Sequence, residues 1–233
     1  MSGVSLAWYT YMEQGRPIRV SEQVLESIAR TLQLDSDERS YLFSLANEWL
    51  IGELTSNAEM EEQISSSLQY MLDDLRICPA YIIDGGWSIV AWNPMACEVF
   101  GNYNEMDRLQ RNLIWRTFTD PDYRHLFVDW EPMAKRLLGQ FRIYFAKYID
   151  DPWYHEMVEE LKQCSNEFKE WWKDHEVSGI PTGKKEIVHP KLEQLTFDFN
   201  NFLLAERPGW TLSVFTPVVN TDTADKLKTL IGG

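Results

Sequence analysis

Cysteine is scarce in this chain of 233 residues, which holds only Cys78, Cys97 and Cys164. An odd count without Cys-x-x-Cys spacing excludes a disulfide framework and points to reduced thiols in a cytoplasm. Histidine is almost as rare: His125, His155, His175 and His189 are scattered, and none has a partner at the spacing zinc needs. Positive charge is short too, with 22 Lys and Arg against 36 Asp and Glu and a net charge of −14. That balance argues against non-specific affinity for nucleic acid, because phosphate contacts need Lys and Arg. No apolar run approaches the ~20 residues of a membrane span. Leu6 to Met12 is interrupted by polar residues and lacks the basic lead-in of a signal peptide.

Catalytic patterns are missing as well. Gly85-Gly86 has none of the Gly-x-x-x-x-Gly-Lys wording of a phosphate cradle. Cys164 and His175 share a helical face, but their separation is roughly 16 Å at 1.5 Å per residue, too far for a nucleophile and its base. The doublets Asp73-Asp74, Asp150-Asp151 and Glu159-Glu160 read as solvated faces or caps. Neither an enzyme nor a cofactor nor a metal is expected.

What is abundant is large apolar side chains: ten Trp, eleven Phe and eight Met within 44% hydrophobic residues. Such residues build ordinary cores and also adapt to irregular cavities. At the N-terminus Gly3 is a turn residue and Ser5 a good N-cap, so Leu6 to Met12 is expected to form a short helix ended by Gly15. A helix opening after a tight Gly turn is the second half of a helix-turn-helix, the half that enters the major groove. Ser5, Ala7, Trp8, Thr10 and Tyr11 would then face bases or backbone, with Arg16 and Arg19 on phosphates. The first half of the motif is expected to be missing. Within residues 1–55, four Arg stand against eight acids, which counts against DNA affinity.

A second helix starts at Ser21, with Val24, Leu25, Ile28, Ala29 and Leu32 at helical spacing. A third carries Tyr41, Leu42, Phe43 and Leu45. Thr55 to Glu59 reads as a linker. A helix over 60–76 places Ile64, Leu68, Met71, Leu72 and Leu75 on one side. Two β-rich runs, 79–84 and 87–92, flank Asp84-Gly85-Gly86 and predict a hairpin, after which Asn93 caps a helix with Pro94 in its first turn. Residues 185–190, 192–204 and 211–218 read as strands, with Leu195, Phe197 and Phe199 on one face and Thr196, Asp198 and Asn200 on the other. Two long amphipathic helices lie between. The first has Trp130, Met133, Leu137, Leu138, Phe141, Tyr144, Phe145 and Tyr148 on one face, with Arg142 at its edge. There Arg142 either snorkels to water or holds a carboxylate bidentately. The second runs from Met157 through Leu161, Cys164, Phe168, Trp171 and Trp172 to His175, which is either a satisfied core histidine or a polar contact in a pocket.

The string Gly3-Val4-Ser5-x-x-Trp8-Tyr9-Thr10-Tyr11-Met12-Glu13-Gln14-Gly15-Arg16 and its continuation to residue 46 resemble the second half of a Cro/repressor-type (xenobiotic-response-element class) DNA-binding domain. Phe141-Arg142, Trp172-x-x-His175-x-Val177 and His189-Pro190 are similar to strings of the MmyB-like ligand-binding domain that such regulators carry. One departure is visible: the family has a Gly soon after His-Pro, where this chain reads Lys191-Leu192-Glu193.

The resemblance implies an α+β architecture: a truncated all-α helix-turn-helix domain at 1–54, a linker and connecting helix at 55–77, and a PAS-like domain at 78–233. That last domain would have an antiparallel sheet covered by helices. It implies a cytoplasmic, homodimeric transcription regulator that binds double-stranded DNA in its complete form and senses a fatty-acid-like small molecule, with no membrane partner. Arg142 and His175 are the expected polar end of the ligand site. Trp92, Met95, Phe100, Trp115, Met133, Leu137, Phe141, Phe145, Leu161, Phe168 and Trp172 are its expected walls. The alternative is a dimerisation or interaction module whose core is full.

Overall fold

A computed structural model describes residues 22–35, 38–39, 42–43, 64–174, 183–207 and 209–231. The expected DNA-facing residues Ser5, Ala7, Trp8, Thr10, Tyr11, Arg16 and Arg19 lie outside these, as do the linker and His175. Helix α1 spans Glu22–Thr31 and buries Leu25 and Ala29. Leu32, expected on the same apolar face, is instead 64% exposed, because the helix stops one residue before it.

The remaining described elements form an α+β domain of the PAS-like type. Its five strands, β1 (Ala80–Ile83), β2 (Ile89–Trp92), β3 (Gly183–His189), β4 (Glu193–Leu203) and β5 (Thr211–Pro217), make one antiparallel sheet in the order β2-β1-β5-β4-β3. The predicted hairpin is present. Asp84 Oδ1 accepts from the Ser88 amide at 2.8 Å, and Trp87, rather than a glycine, takes the left-handed φ of 66°.

Side-chain alternation divides the sheet into two faces. Tyr81, Ile187, Leu195, Phe197, Phe199 and Phe215 point inward into one continuous core. Ala80, Ile82, Ala91, Leu212 and Val214 point the other way. That outer patch is covered by helix α2 (Ser66–Asp74), whose Leu72 is fully buried. The helix is shorter than the expected 60–76, since Ser65 caps it by accepting from the Leu68 amide. Met71, expected on its apolar side, is 44% exposed.

Short helices follow wherever a side chain caps them: α3 (Pro94–Phe100) by Asn93, α4 (Leu113–Thr119) by Asn112, and α5 (Pro121–His125) by Asp120. Asn93 does more than cap. Its Oδ1 accepts from the amides of Ala80 and Ala96 at 3.0 and 2.9 Å, while its Nδ2 donates to the carbonyls of Leu72, Leu75 and Cys78. One buried amide thereby joins α2, β1 and α3.

Helix α6 (Trp130–Lys147) matches the first amphipathic prediction and buries Trp130, Met133, Leu137, Leu138 and Phe141. The second predicted helix is broken. It divides into α7 (Pro152–Cys164) and α8 (Asn166–Trp171), because Ser165 leaves the helical region and caps the new start, accepting from the Phe168 amide at 3.2 Å. Cys164, expected on the apolar face, is therefore exposed at a helix end. Helix α9 (Thr223–Ile231) packs on β4 through Leu227.

At the turn where the glycine is replaced, Glu193 adopts φ 60°. This is a conformation that glycine takes without strain and a side chain does not. The turn is supported by His189, whose Nδ1 accepts from the amides of Lys191 and Leu192 while its Nε2 lies 3.0 Å from the Glu98 carbonyl. An acceptor Nδ1 leaves the proton on Nε2, which donates to that carbonyl.

Candidate ligand-binding site

The residues expected to form the site fall into two groups. Arg142, Phe141, Phe145, Phe168 and Trp172 are brought together. Arg142 is buried, donates from Nη2 to the Trp171 carbonyl, and lies 5.6 Å from the Trp172 ring centroid. Phe145 meets Trp172 edge-on at 5.2 Å, and Phe168 stacks on it at 5.4 Å. Met95, Met133, Leu137 and Leu161 belong to the same continuous core. Phe100 belongs to that core as well, and Trp92 and Trp115 pack against it, each of the three also bordering an open cleft.

Three clefts line the margin of the helix layer. The first, about 690 Å³, runs between α2 and the β2–α3 junction and includes Gln69, Asp73, Trp92 and Cys97. The second, about 830 Å³, is bordered by Met106, Trp115, Phe118 and Cys164, and the third, about 650 Å³, by Val99, Phe100, Leu126 and His189. Arg142 borders none of the three.

The second and third clefts share Met106, Arg116 and Asp120. Arg116 is buried on α4. Its Nε donates to Asp120 Oδ2 at 2.8 Å and its Nη2 to the Phe100 carbonyl at 2.6 Å. Its guanidinium also lies 4.5 Å from the Tyr123 ring centroid and 5.6 Å from that of Tyr103. Burial opposes the Arg116 charge, but Tyr103, Asp120 and Tyr123 together hold its pKa above the ordinary value. Burial pushes the phenol of Tyr123 up to about 12 and raises those of Tyr81 and Tyr103 well above the ordinary value, which keeps all three neutral. Arg116 Nη1 and Tyr103 OH make no hydrogen bond among the described residues.

A third inward cation behaves differently. Lys185 sits on β3 opposite Phe197, with Nζ 4.4 Å from the Phe199 centroid and 5.9 Å from that of Phe127. Burial depresses its pKa to about 8, and repulsion from Arg136 on α6 adds to the shift.

Sequence reasoning missed Arg116, Asp120 and Lys185. The first two carried a signal, an i,i+4 ion pair. Strand alternation places Lys185 on the same face as Ile187, yet a lysine at a strand's start reads most simply as solvated. No three of His, Cys, Asp and Glu converge as metal ligands among the described residues.

Residues 64–230 match the family described as MmyB-like transcription regulator ligand binding domain. The matched span begins at the start of the segment carrying α2 and takes in the whole sheet with its helix layer. No curated relative matches the chain.

Proposed function

Because the chain belongs to the MmyB-like ligand-binding family of transcription regulators, we propose that it is a one-component sensor which binds a small apolar, fatty-acid-like acid and converts nothing. The observation that carries this reading is that the ligand-binding family spans α2, the sheet and all the helices over it, with clefts of mixed polar and apolar lining open at the margin of that layer. As a regulator, it would hold double-stranded DNA through a helix-turn-helix segment, and two chains would pair to read a symmetric operator. Ligand binding would change operator affinity by favouring one of two packings of the sensor against its neighbour. This requires unequal affinity for the two states. Helix α2 is the natural carrier, since it lies on the opposite face of the sheet from the helix layer and is tied to both through Asn93.

Native mass spectrometry of the purified protein, followed by organic extraction, tests the reading. The expected result is a co-purified acid of discrete mass. If the mass is that of the bare chain and no fatty acid of a graded series raises the Tm, the sensor reading fails.

One observation favours a second reading, in which the domain is an interaction module with a filled core. The inner face is densely packed with rings, Phe215 lying 4.7 Å from both Phe100 and Phe199. A bare mass with no thermal response, together with a stable dimer, is its expected signature.

A further inference from the structure

Two neighbouring side chains in the helix layer each bury a polar group that makes no hydrogen bond among the described residues, Arg116 Nη1 and Tyr103 OH. Arg116 is only 5% exposed and Tyr103 1%. The guanidinium carbon lies 5.6 Å from the Tyr103 ring centroid, yet the phenol and Nη1 lack the geometry to bond each other. A buried donor left unmade costs the desolvation of its group, so two side by side call for a shared acceptor.

Two of the clefts meet at this point, since Arg116, Met106 and Asp120 border both. Gly101 makes the meeting possible. Its φ is 104°, and a Cβ there would stand 3.0 Å from Arg116 Nη2 and 3.3 Å from Met106 Cε. The thioether end of Met106 therefore rests against the guanidinium. An unbranched thioether swings aside readily, which would open the clefts toward the two unmet donors.

Charge decides what fits there. Asp120 Oδ2 already neutralises Arg116 at 2.8 Å. Glu98, Glu105 and Asp122 stand on the same cleft walls, and with Asp120 they outnumber the fixed cations Arg116 and Lys191. An added anion would be repelled. A carbonyl oxygen is uncharged and has two lone pairs, one for each donor. Phe118 and Trp115 on one side, with Val99 and Leu126 on the other, give its hydrocarbon an apolar wall.

We propose that Arg116 and Tyr103 form a second ligand site, which holds the oxygen of a neutral carbonyl compound with a small apolar body: a ketone, an ester or an amide. The oxygen accepts from Nη1 and from the Tyr103 hydroxyl. This site is separate from the ring cluster around Arg142, and it stands or falls apart from the acid reading. An ordered water would satisfy the same two donors, and the test distinguishes the two.

The test is an NMR titration of the whole chain with acetophenone, ethylbenzene and benzoate, which are close in size and differ in the oxygen they carry. The wild-type protein is expected to bind acetophenone about tenfold tighter than ethylbenzene, the worth of one hydrogen bond to a charged donor, and tighter than benzoate. Tyr103→Phe removes a hydroxyl that bonds nothing in the protein, so its Tm should be unchanged or raised. Its affinity for acetophenone should drop several-fold while that for ethylbenzene stays. If acetophenone fails to bind, a water fills the place and the assignment falls. It falls equally if ethylbenzene or benzoate binds as tightly, if Tyr103→Phe keeps the full preference, or if that variant melts well below wild type.

Discussion

The two faces of the sheet are built from different materials. The inner face is aromatic, with Tyr81, Phe197, Phe199 and Phe215 meeting the rings of Phe100, Tyr103 and the helix layer. The outer face is small and aliphatic where α2 covers it, with Ala80, Ile82, Ala91, Leu212 and Val214, and polar further along β4. Burial stabilises in proportion to the apolar area removed from water. The inner face therefore carries the stability of the domain. The outer face holds one short helix by a few aliphatic contacts, the Asn93 amide and a hydrogen bond from Gln69 Nε2 to the Trp92 carbonyl at 3.0 Å. A helix held that way can shift without unfolding the sheet, which suits the element that would lead a signal away from the site.

The largest predicted effect breaks the inner face. Phe215 is almost fully buried among four rings, so Phe215→Ala should cost about 3–5 kcal/mol in urea unfolding. A cost near that of an exposed substitution would refute the assignment of stability to this face. Asn93→Ala comes next, at about 2–3 kcal/mol, because it leaves the Ala80 and Ala96 amides and the carbonyls of Leu72, Leu75 and Cys78 without their shared partner. Hydrogen exchange should show α2 losing protection well before β1 and β5. Simultaneous loss across sheet and helix would mean that α2 is no looser than the rest.

Arg116→Met should cost about 1–3 kcal/mol, since it strips the Phe100 carbonyl and Asp120 of their donor. Lys185 predicts a pH effect of a different sign. Its pKa is lowered from 10.5 to about 8 in the folded chain, so between those values the unfolded chain binds more protons. The destabilisation is complete below about pH 8 and fades as pH rises toward 10.5. The Tm difference between wild type and Lys185→Met should shrink over that window, and a constant difference would show that the lysine is not desolvated. The smallest effect belongs to the exposed outer edge, where Phe202→Ser should change stability by no more than about 0.5 kcal/mol.

The inner core was largely legible in the sequence. Leu195, Phe197 and Phe199 alternate with polar residues, and all three are buried as that period requires. The Asn93-Pro94 helix start followed from two adjacent residues. The break at Ser165 was missed because the apolar residues on either side, Leu161 and Phe168, still keep helical spacing, while the cap that ends the helix is a single hydroxyl. The site was less legible than the fold. Arg142 stood out because it interrupts an apolar face, yet its partner in the structure is a backbone carbonyl, which no side-chain pattern encodes.

The sequence by itself determined the strands, the hairpin, the Asn93-capped helix and the ligand-binding family, since each depends on residues next to one another or at a fixed period. Only the tertiary structure decided what each inward-facing cation meets. Arg142 meets Trp171 across 29 positions, and Arg116 meets Phe100 across 16. Lys185 lies over the rings of Phe127, from another segment, and Phe199, from the neighbouring strand. Charge compensation depends on distances in space, which the period of a strand or helix does not record. The unmatched lysine on β3 becomes apparent only once the helix layer has closed over the sheet.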